Sequence, residues 1–148
     1  MIEYKNSSGV LVFNDKGELA LQLRTASDDS FPSHWDCSAG GGIDEGEDAK
    51  TATERELREE LGVEAKIEFI SKEHYRYPAW TPGVSREVDL YIYKTHNNGP
   101  FKPDPKEIDK VEFFSLAKIK EMIESGQKFH PEFILSWNKG VIQKAAGN

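Results

Sequence analysis

The sequence predicts an α/β fold: one domain, spanning residues 1–148, in which helices pack on a mixed β-sheet. Three observations carry that prediction. Strand-like runs interleave with amphipathic helical segments. A pair of apolar runs joined by a short turn demands an antiparallel hairpin. The length of 148 residues suits one hydrophobic core that buries roughly two-thirds of the surface the unfolded chain exposes.

Val10–Phe13 and Leu19–Leu23 are the two hairpin strands, and Asn14-Asp15-Lys16-Gly17 supplies the turn. Thr25–His34, rich in Ser and Asp and carrying Pro32, reads as a loop, and Trp35–Ala39 as a short strand that runs into Gly40-Gly41-Gly42. Nothing interrupts Asp48–Leu61, and Gly62 stands where a helix ends in a left-handed residue, so a helix is placed there. Ala65–Tyr77 and Val84–Thr95 are strands around the turn at Pro78–Gly83, with Val88, Leu90 and Ile92 on one face of the second. A polar loop over His96–Pro105 leads to a short strand at Val111–Phe114. Ser115 then caps a helix carrying Leu116, Ile119, Met122 and Ile123, ended by Gly126. Pro131 at a first helical position opens the last helix, with Phe133, Ile134 and Trp137. No internal repeat is visible.

Composition narrows the function. Apolar residues make up 37% and charged residues 30%, a globular mixture without a disorder bias. No stretch approaches the roughly 20 apolar residues of a membrane-spanning helix. Cys37 is the only cysteine, which fits a reducing, cytoplasmic setting. The net charge of −7 argues against a nucleic-acid groove, because backbone binding needs Lys and Arg to displace counterions. An anionic small molecule would need a cation as mediator.

That cation has an evident seat. On a helix, Glu56, Glu59 and Glu60 project from one face, Leu57 and Leu61 lie on another that packs against the sheet, and Glu54 and Arg58 form an i,i+4 surface pair. Like charges at these spacings cost about 0.2–0.5 kcal/mol per pair, so either water solvates the face or a hard cation sits in it. Mg²⁺ is the natural occupant, held by carboxylates and substrate phosphates, with Mn²⁺ a substitute.

Residues 41–63 resemble the Nudix box, G-x5-E-x7-R-E-U-x-E-E-x-G-U with U aliphatic, at every specified position: Gly41, Glu47, Arg55, Glu56, Leu57, Glu59, Glu60, Gly62 and Val63. The resemblance implies an α/β/α sandwich and water attack on phosphorus in a nucleoside diphosphate linked to a moiety X. It makes Glu59 and Glu60 metal ligands, with Glu47 and the Gly41 carbonyl as further oxygens. Glu56 becomes a general base or an additional ligand, and Arg55 the residue that orients a carboxylate. Family members that take the base from outside the box make Glu87 a second candidate. Arg24 and Trp80 are candidates for substrate contact; Trp35 and Trp137 are assigned to the core. The four histidines have no metal-ligand spacing and receive no role, and Cys37 is read as a small packed residue. The expected partner is a small nucleotide or diphosphate; neither nucleic acid nor membrane is expected, and a homodimer is compatible with the reading.

Phe31-Pro32, Trp35-Asp36-Cys37-Ser38 and Phe129-His130-Pro131-Glu132-Phe133 resemble the branch related to isopentenyl-diphosphate isomerase, which makes an isomerase-like enzyme the alternative. Aligning Trp35 with the isomerase tryptophan puts Gly40 where the isomerase has its catalytic cysteine, with Cys37 three residues early. Lys5 and Gly42 stand at two of its metal-binding histidine positions. A non-catalytic nucleotide-binding Nudix domain is the remaining alternative; such domains usually lose box carboxylates, and here none is lost.

Overall fold

The structure is a computed structural model that describes residues 1–147; Asn148, the last residue of the expected domain, lies outside the described residues. A seven-stranded mixed sheet forms the middle layer. Its strands are β1 (Ile2–Phe13), β2 (Leu19–Arg24), β3 (Trp35–Asp36), β4 (Ala39–Gly42), β5 (Glu68–Pro78), β6 (Ser85–His96) and β7 (Ile108–Phe114). The helices are α1 (Ala49–Leu61), α2 (Leu116–Glu124), α3 (Pro131–Asn138) and α4 (Val141–Gly147).

β1 is the spine. It runs parallel to β6 over its whole length, from Ile2 opposite Ser85 to Phe13 opposite His96. It meets β2 antiparallel only at Phe13 opposite Leu19, and β4 takes its other edge from Ser7 to Val10. The hairpin strands therefore splay apart, and the triple glycine fills the gap between them. Strand alternation divides the core in two. Val10, Val12 and Ala20 face α1 and pack with Leu57 and Leu61. Leu11, Leu21, Val88, Leu90 and Ile92 face the other way, onto α2, α3 and α4 through Ile119, Met122, Phe133 and Ile142.

Several elements differ from the sequence reading. β1 starts eight residues before Val10, because its polar first half, Ile2–Gly9, is held by pairing to β6 and β4 rather than by apolar burial. The expected single strand at Trp35–Ala39 is two strands, parted where Ser38 turns its hydroxyl inward to donate to the Ala20 carbonyl and accept from the Val12 amide at 2.9 Å. The glycines Gly40–Gly42 are themselves strand. β7 begins at Ile108, three residues early, since Ile108 is buried against the α1 side. α4 has no counterpart in the sequence reading; Gly140 at φ 82° ends α3 and lets the chain restart. Glu54 and Arg58 do not close the expected ion pair among the described residues.

Candidate active site

α1 is built to aim carboxylates. Asp48 caps it by accepting from the Thr51 amide at 2.8 Å, and Gly62 closes it at φ 69°. Leu57 and Leu61, fully buried on the sheet, fix the rotation of the helix and hence the direction of every glutamate on it. The three glutamates expected on one face fan out across it. Glu60 is buried at 5% exposure, the Glu56 side chain is 13% exposed, and that of Glu59 is 57% exposed.

Arg55 organises the outer part of the fan. Its guanidinium grips Glu47 through two parallel bonds of 2.9 and 3.0 Å, donates to Glu56 at 2.9 Å and reaches Glu59 at 3.3 Å. With Asp44 at 3.6 Å it pairs with four carboxylates, where the sequence reading assigned it one. The Arg55 bonds hold the Glu47 carboxyl below its ordinary range.

Glu60 is the inner pole. It accepts from the Gln22 side chain at 2.7 Å and the Gly40 amide at 3.3 Å, and it abuts Glu56. Among the described residues no cation pairs with it. Burial, and then the hydrogen bond with Glu56, push its carboxyl well above the usual range. Glu107 stands beside this pair in the same cleft, its carboxyl raised by burial and by Asp104, Glu56 and Glu59. Gly41 makes room: a Cβ there would lie 2.7 Å from Glu56 Oε1.

A divalent ion fits this site by donor chemistry. All the donors are hard oxygens, and Glu60 is a buried carboxyl with no cationic partner among the described residues, as expected where a metal ion shares the load. Among the described residues no three acidic or histidine side chains already converge as a ligand set, since Arg55 draws Glu47 and Glu59 outward.

The cleft above the carboxylates has a volume of about 450 Å³. It passes through the sheet at the gap between β1 and β2: one end is walled by Glu56 and Glu60, the other by Leu90, Ile92, Phe133 and Ile142 on the α3 side. Arg24 lines it, but its guanidinium is already held by Asp28 and Asp36, both at 3.2 Å. Glu87 does not line it. On β6 it alternates with Val88 onto the α1 face, where it borders a separate depression of about 150 Å³ beside His74 and Asp89. Trp80, 47% exposed, also stays outside the cleft wall, tilted against Phe31 at 5.3 Å and edge-on to His34 at 5.7 Å. Trp35 and Trp137 pack against the core as expected.

Glu107 was missed at the sequence level, and so were Gln22 and His130. Gln22 shares the α1 face with Ala20, two residues away, so strand alternation alone would have placed its amide beside the carboxylates. His130 caps α3, its Nδ1 accepting from the Glu132 amide at 3.1 Å, and it is buried in the cleft wall. Its place just before Pro131 at N1 was the available signal.

A NUDIX domain model matches residues 3–136. The chain belongs to the Nudix family. An uncharacterised Nudix hydrolase of Listeria monocytogenes is 44% identical over 137 residues, which cover 86% of this chain and 72% of that protein. An isopentenyl-diphosphate isomerase of Paenarthrobacter aurescens is 31% identical over 115 residues, covering 76% of this chain and 62% of the isomerase. The chain spans 59–72% of the length of the curated Nudix hydrolases of Listeria and Pseudomonas that it matches. Among solved structures, a MutT protein of Methanosarcina mazei superposes with a TM-score of 0.76 at 20% identity, covering 96% of this chain and 95% of that one; at that identity the likeness is one of fold.

A Cβ on Gly40 would lie 2.5 Å from the Ser8 carbonyl and 3.0 Å from Gly9 Cα, both backbone, so this register of β1 and β4 has no space for a side chain at Gly40, the position that the Trp35 alignment sets against the expected isomerase cysteine. Cys37 does not replace it: burial pushes its thiol well up, and the thiol donates to the Ala39 carbonyl at 3.2 Å.

Proposed function

We propose that this Nudix domain is a Mg²⁺-dependent hydrolase that cleaves the diphosphate linkage of a nucleoside diphosphate joined to a moiety X, with Mn²⁺ able to substitute. The observation that carries the reading is Glu60, a buried carboxyl held by Gln22 and the Gly40 amide, pressed against Glu56 and without a cationic partner among the described residues. Glu59, Glu60, Glu47 and the Gly41 carbonyl are the oxygens that would hold the ion. When bound, such an ion neutralises phosphate charge and makes water a better nucleophile.

The chain's own residues supply the rest. Arg55 gathers Glu47, Glu56 and Glu59 around its fork, and Glu47 and Glu59 would turn inward from it to share an ion with Glu60. Glu56 takes the proton of the attacking water at its carboxylate. Of the carboxylates outside the box, Glu107 lines the cleft and Glu87 does not, so the supporting acid–base role passes from Glu87 to Glu107. Arg24 contacts phosphate only by giving up a bond to Asp28 or Asp36, and Trp80 contacts X only at the mouth. The apolar end of the cleft, Leu90, Ile92, Phe133 and Ile142, receives the part of the substrate remote from the reacting phosphorus. A cytoplasmic setting follows from the lone thiol of Cys37.

The test is release of phosphate or nucleotide from ADP-ribose, nucleoside diphosphate sugars, dinucleoside polyphosphates and nucleoside triphosphates, with Mg²⁺ and with chelator, beside Glu60→Gln. Turnover that needs the metal and is lost in the variant supports the reading. Isomerisation of a prenyl diphosphate, or ligand binding without turnover across the panel, overturns it.

A further inference from the structure

Diphosphate substrates bring at least two negative charges into a cleft whose wall carries Asp28, Asp36, Glu56, Glu60, Glu107 and Glu132. Beyond any metal ion, the protein must offer a cation of its own, and three side chains of the wall are cationic: Lys5, Arg24 and Arg86. Arg24 is locked between Asp28 and Asp36 at 3.2 Å each. Arg86 is locked onto Glu3 by two bonds of 3.0 and 2.8 Å. Lys5 differs. Among the described residues its one ion pair, to Glu3 Oε1, is 3.9 Å long, and that oxygen already accepts both bonds from Arg86.

Position reinforces availability. Lys5 lies on β1 two residues before Ser7, which pairs with Gly42, and so shares Ser7's face at the entry of the triple glycine. A Cβ on Gly42 would meet nothing within 4 Å, so the space beside the box is open on the side from which an ammonium on a four-carbon stem approaches. Lys5 also borders the smaller depression.

We propose that Lys5 is a substrate-binding residue that grips the phosphate not held at the Glu56–Glu60 end of the cleft. The role rests on the proposed diphosphate hydrolysis for its substrate class, but it makes a binding prediction that needs no turnover. Lys5 supplies a charge-assisted contact to a phosphate oxygen in ground state and transition state alike, so it sets affinity rather than the rate of the chemical step.

The experiment is calorimetric titration of inorganic pyrophosphate, in excess Mg²⁺, into the wild type, Lys5→Ala, Lys5→Gln and Lys5→Arg, with melting curves for each. The expected result is a Kd raised about tenfold in the Ala and Gln variants, the low end for a charge-assisted contact, and restored to within about twofold in the Arg variant. The melting temperatures should coincide, since the Lys5 side chain is 46% exposed. Steady-state kinetics on the substrate found in the panel should show the loss in KM with kcat unchanged. Pyrophosphate bound equally by the wild type and Lys5→Ala, or not bound by the wild type, overturns the assignment even if the enzyme hydrolyses diphosphates. Weakened binding in a chain that hydrolyses nothing in the panel keeps Lys5 as a phosphate ligand and removes the hydrolase reading alone.

Discussion

Three consecutive glycines, Gly40, Gly41 and Gly42, should respond to alanine in three different ways, because a methyl group meets something different at each. At Gly40 it would lie 2.5 Å from the Ser8 carbonyl oxygen, 0.9 Å inside an ordinary 3.4 Å contact, and the obstacle is backbone paired in the sheet. Relief requires β4 to move off β1, an overpacking penalty of about 1–3 kcal/mol and a melting temperature lower by roughly 3–10 °C for a domain of this size. At Gly41 the methyl would lie 2.7 Å from Glu56 Oε1, 0.7 Å inside the same limit, but the obstacle is the end of a flexible side chain. Stability should change by less than about 1 kcal/mol, while the Glu56 carboxylate is driven from Arg55 and Glu60; displacement on that scale costs on the order of 100-fold in turnover. At Gly42 nothing lies within 4 Å and φ is not positive, so alanine should be neutral or stabilise by about 0.4–1 kcal/mol. Urea denaturation with steady-state kinetics on the three variants separates the cases. A Gly40→Ala protein as stable as Gly42→Ala would show that the register of β1 and β4 is wrong. A fully active Gly41→Ala protein would remove Glu56 from the reacting centre.

Glu60→Gln should abolish turnover by about 100-fold or more yet leave the melting temperature equal or higher, since a neutral amide in that buried place avoids the cost that raises the Glu60 carboxyl; a large loss of stability would mean that the charged form is structural. Gln22→Ala, which leaves Glu60 the long Gly40 bond and its contact with Glu56, should destabilise by about 1–3 kcal/mol in urea denaturation, and an unchanged midpoint would contradict the Gln22 bond. Burial raises the Cys37, Tyr75 and Tyr77 ionisations above their ordinary values of 9.0, 10.0 and 10.0. Groups raised in the fold stabilise it fully below those values and lose that contribution as pH climbs beyond them, so melting temperature should fall from about pH 9 upward; a flat profile to pH 11 would contradict their burial.

How much of this was legible in the sequence depends on where each signal is written. α1 was read to within a residue because its signals are local: an uninterrupted run and a glycine that adopts the left-handed form. The first half of β1 was not legible. Ile2–Gly9 has no apolar alternation, and what makes it a strand is β6, more than 80 residues downstream, lying parallel along it. α4 failed for the related reason that seven residues carry too few turns to show a period.

The site divides the same way. The box residues are fixed by spacing, yet spacing made Glu56, Glu59 and Glu60 equivalent, and it is burial that sorts them. Helical neighbours three and four apart share a face, but a face spans roughly 100°, enough for Glu60 to turn under the sheet edge while Glu59 stays in water. Gln22, Glu107 and Lys5 lie outside the box and reach the cleft only because the splay of β1 from β2 opens the sheet there. The choice between Glu87 and Glu107 shows the limit most plainly. Both are glutamates at or beside the start of a strand, and nothing in their neighbours along the chain separates them. Strand parity turns Glu87 onto the α1 face beyond the cleft, whereas the turn ending at Glu107, held by the Asp104 carbonyl at 3.1 Å, brings its carboxylate to the cleft and into the field of Glu56 and Glu59. A carboxylate's place in this fold is therefore decided by how far it stands from the splay of β1 and β2, with Glu87 opposite Tyr4 lying beyond the cleft on the same face as Glu60, a property of register rather than of motif.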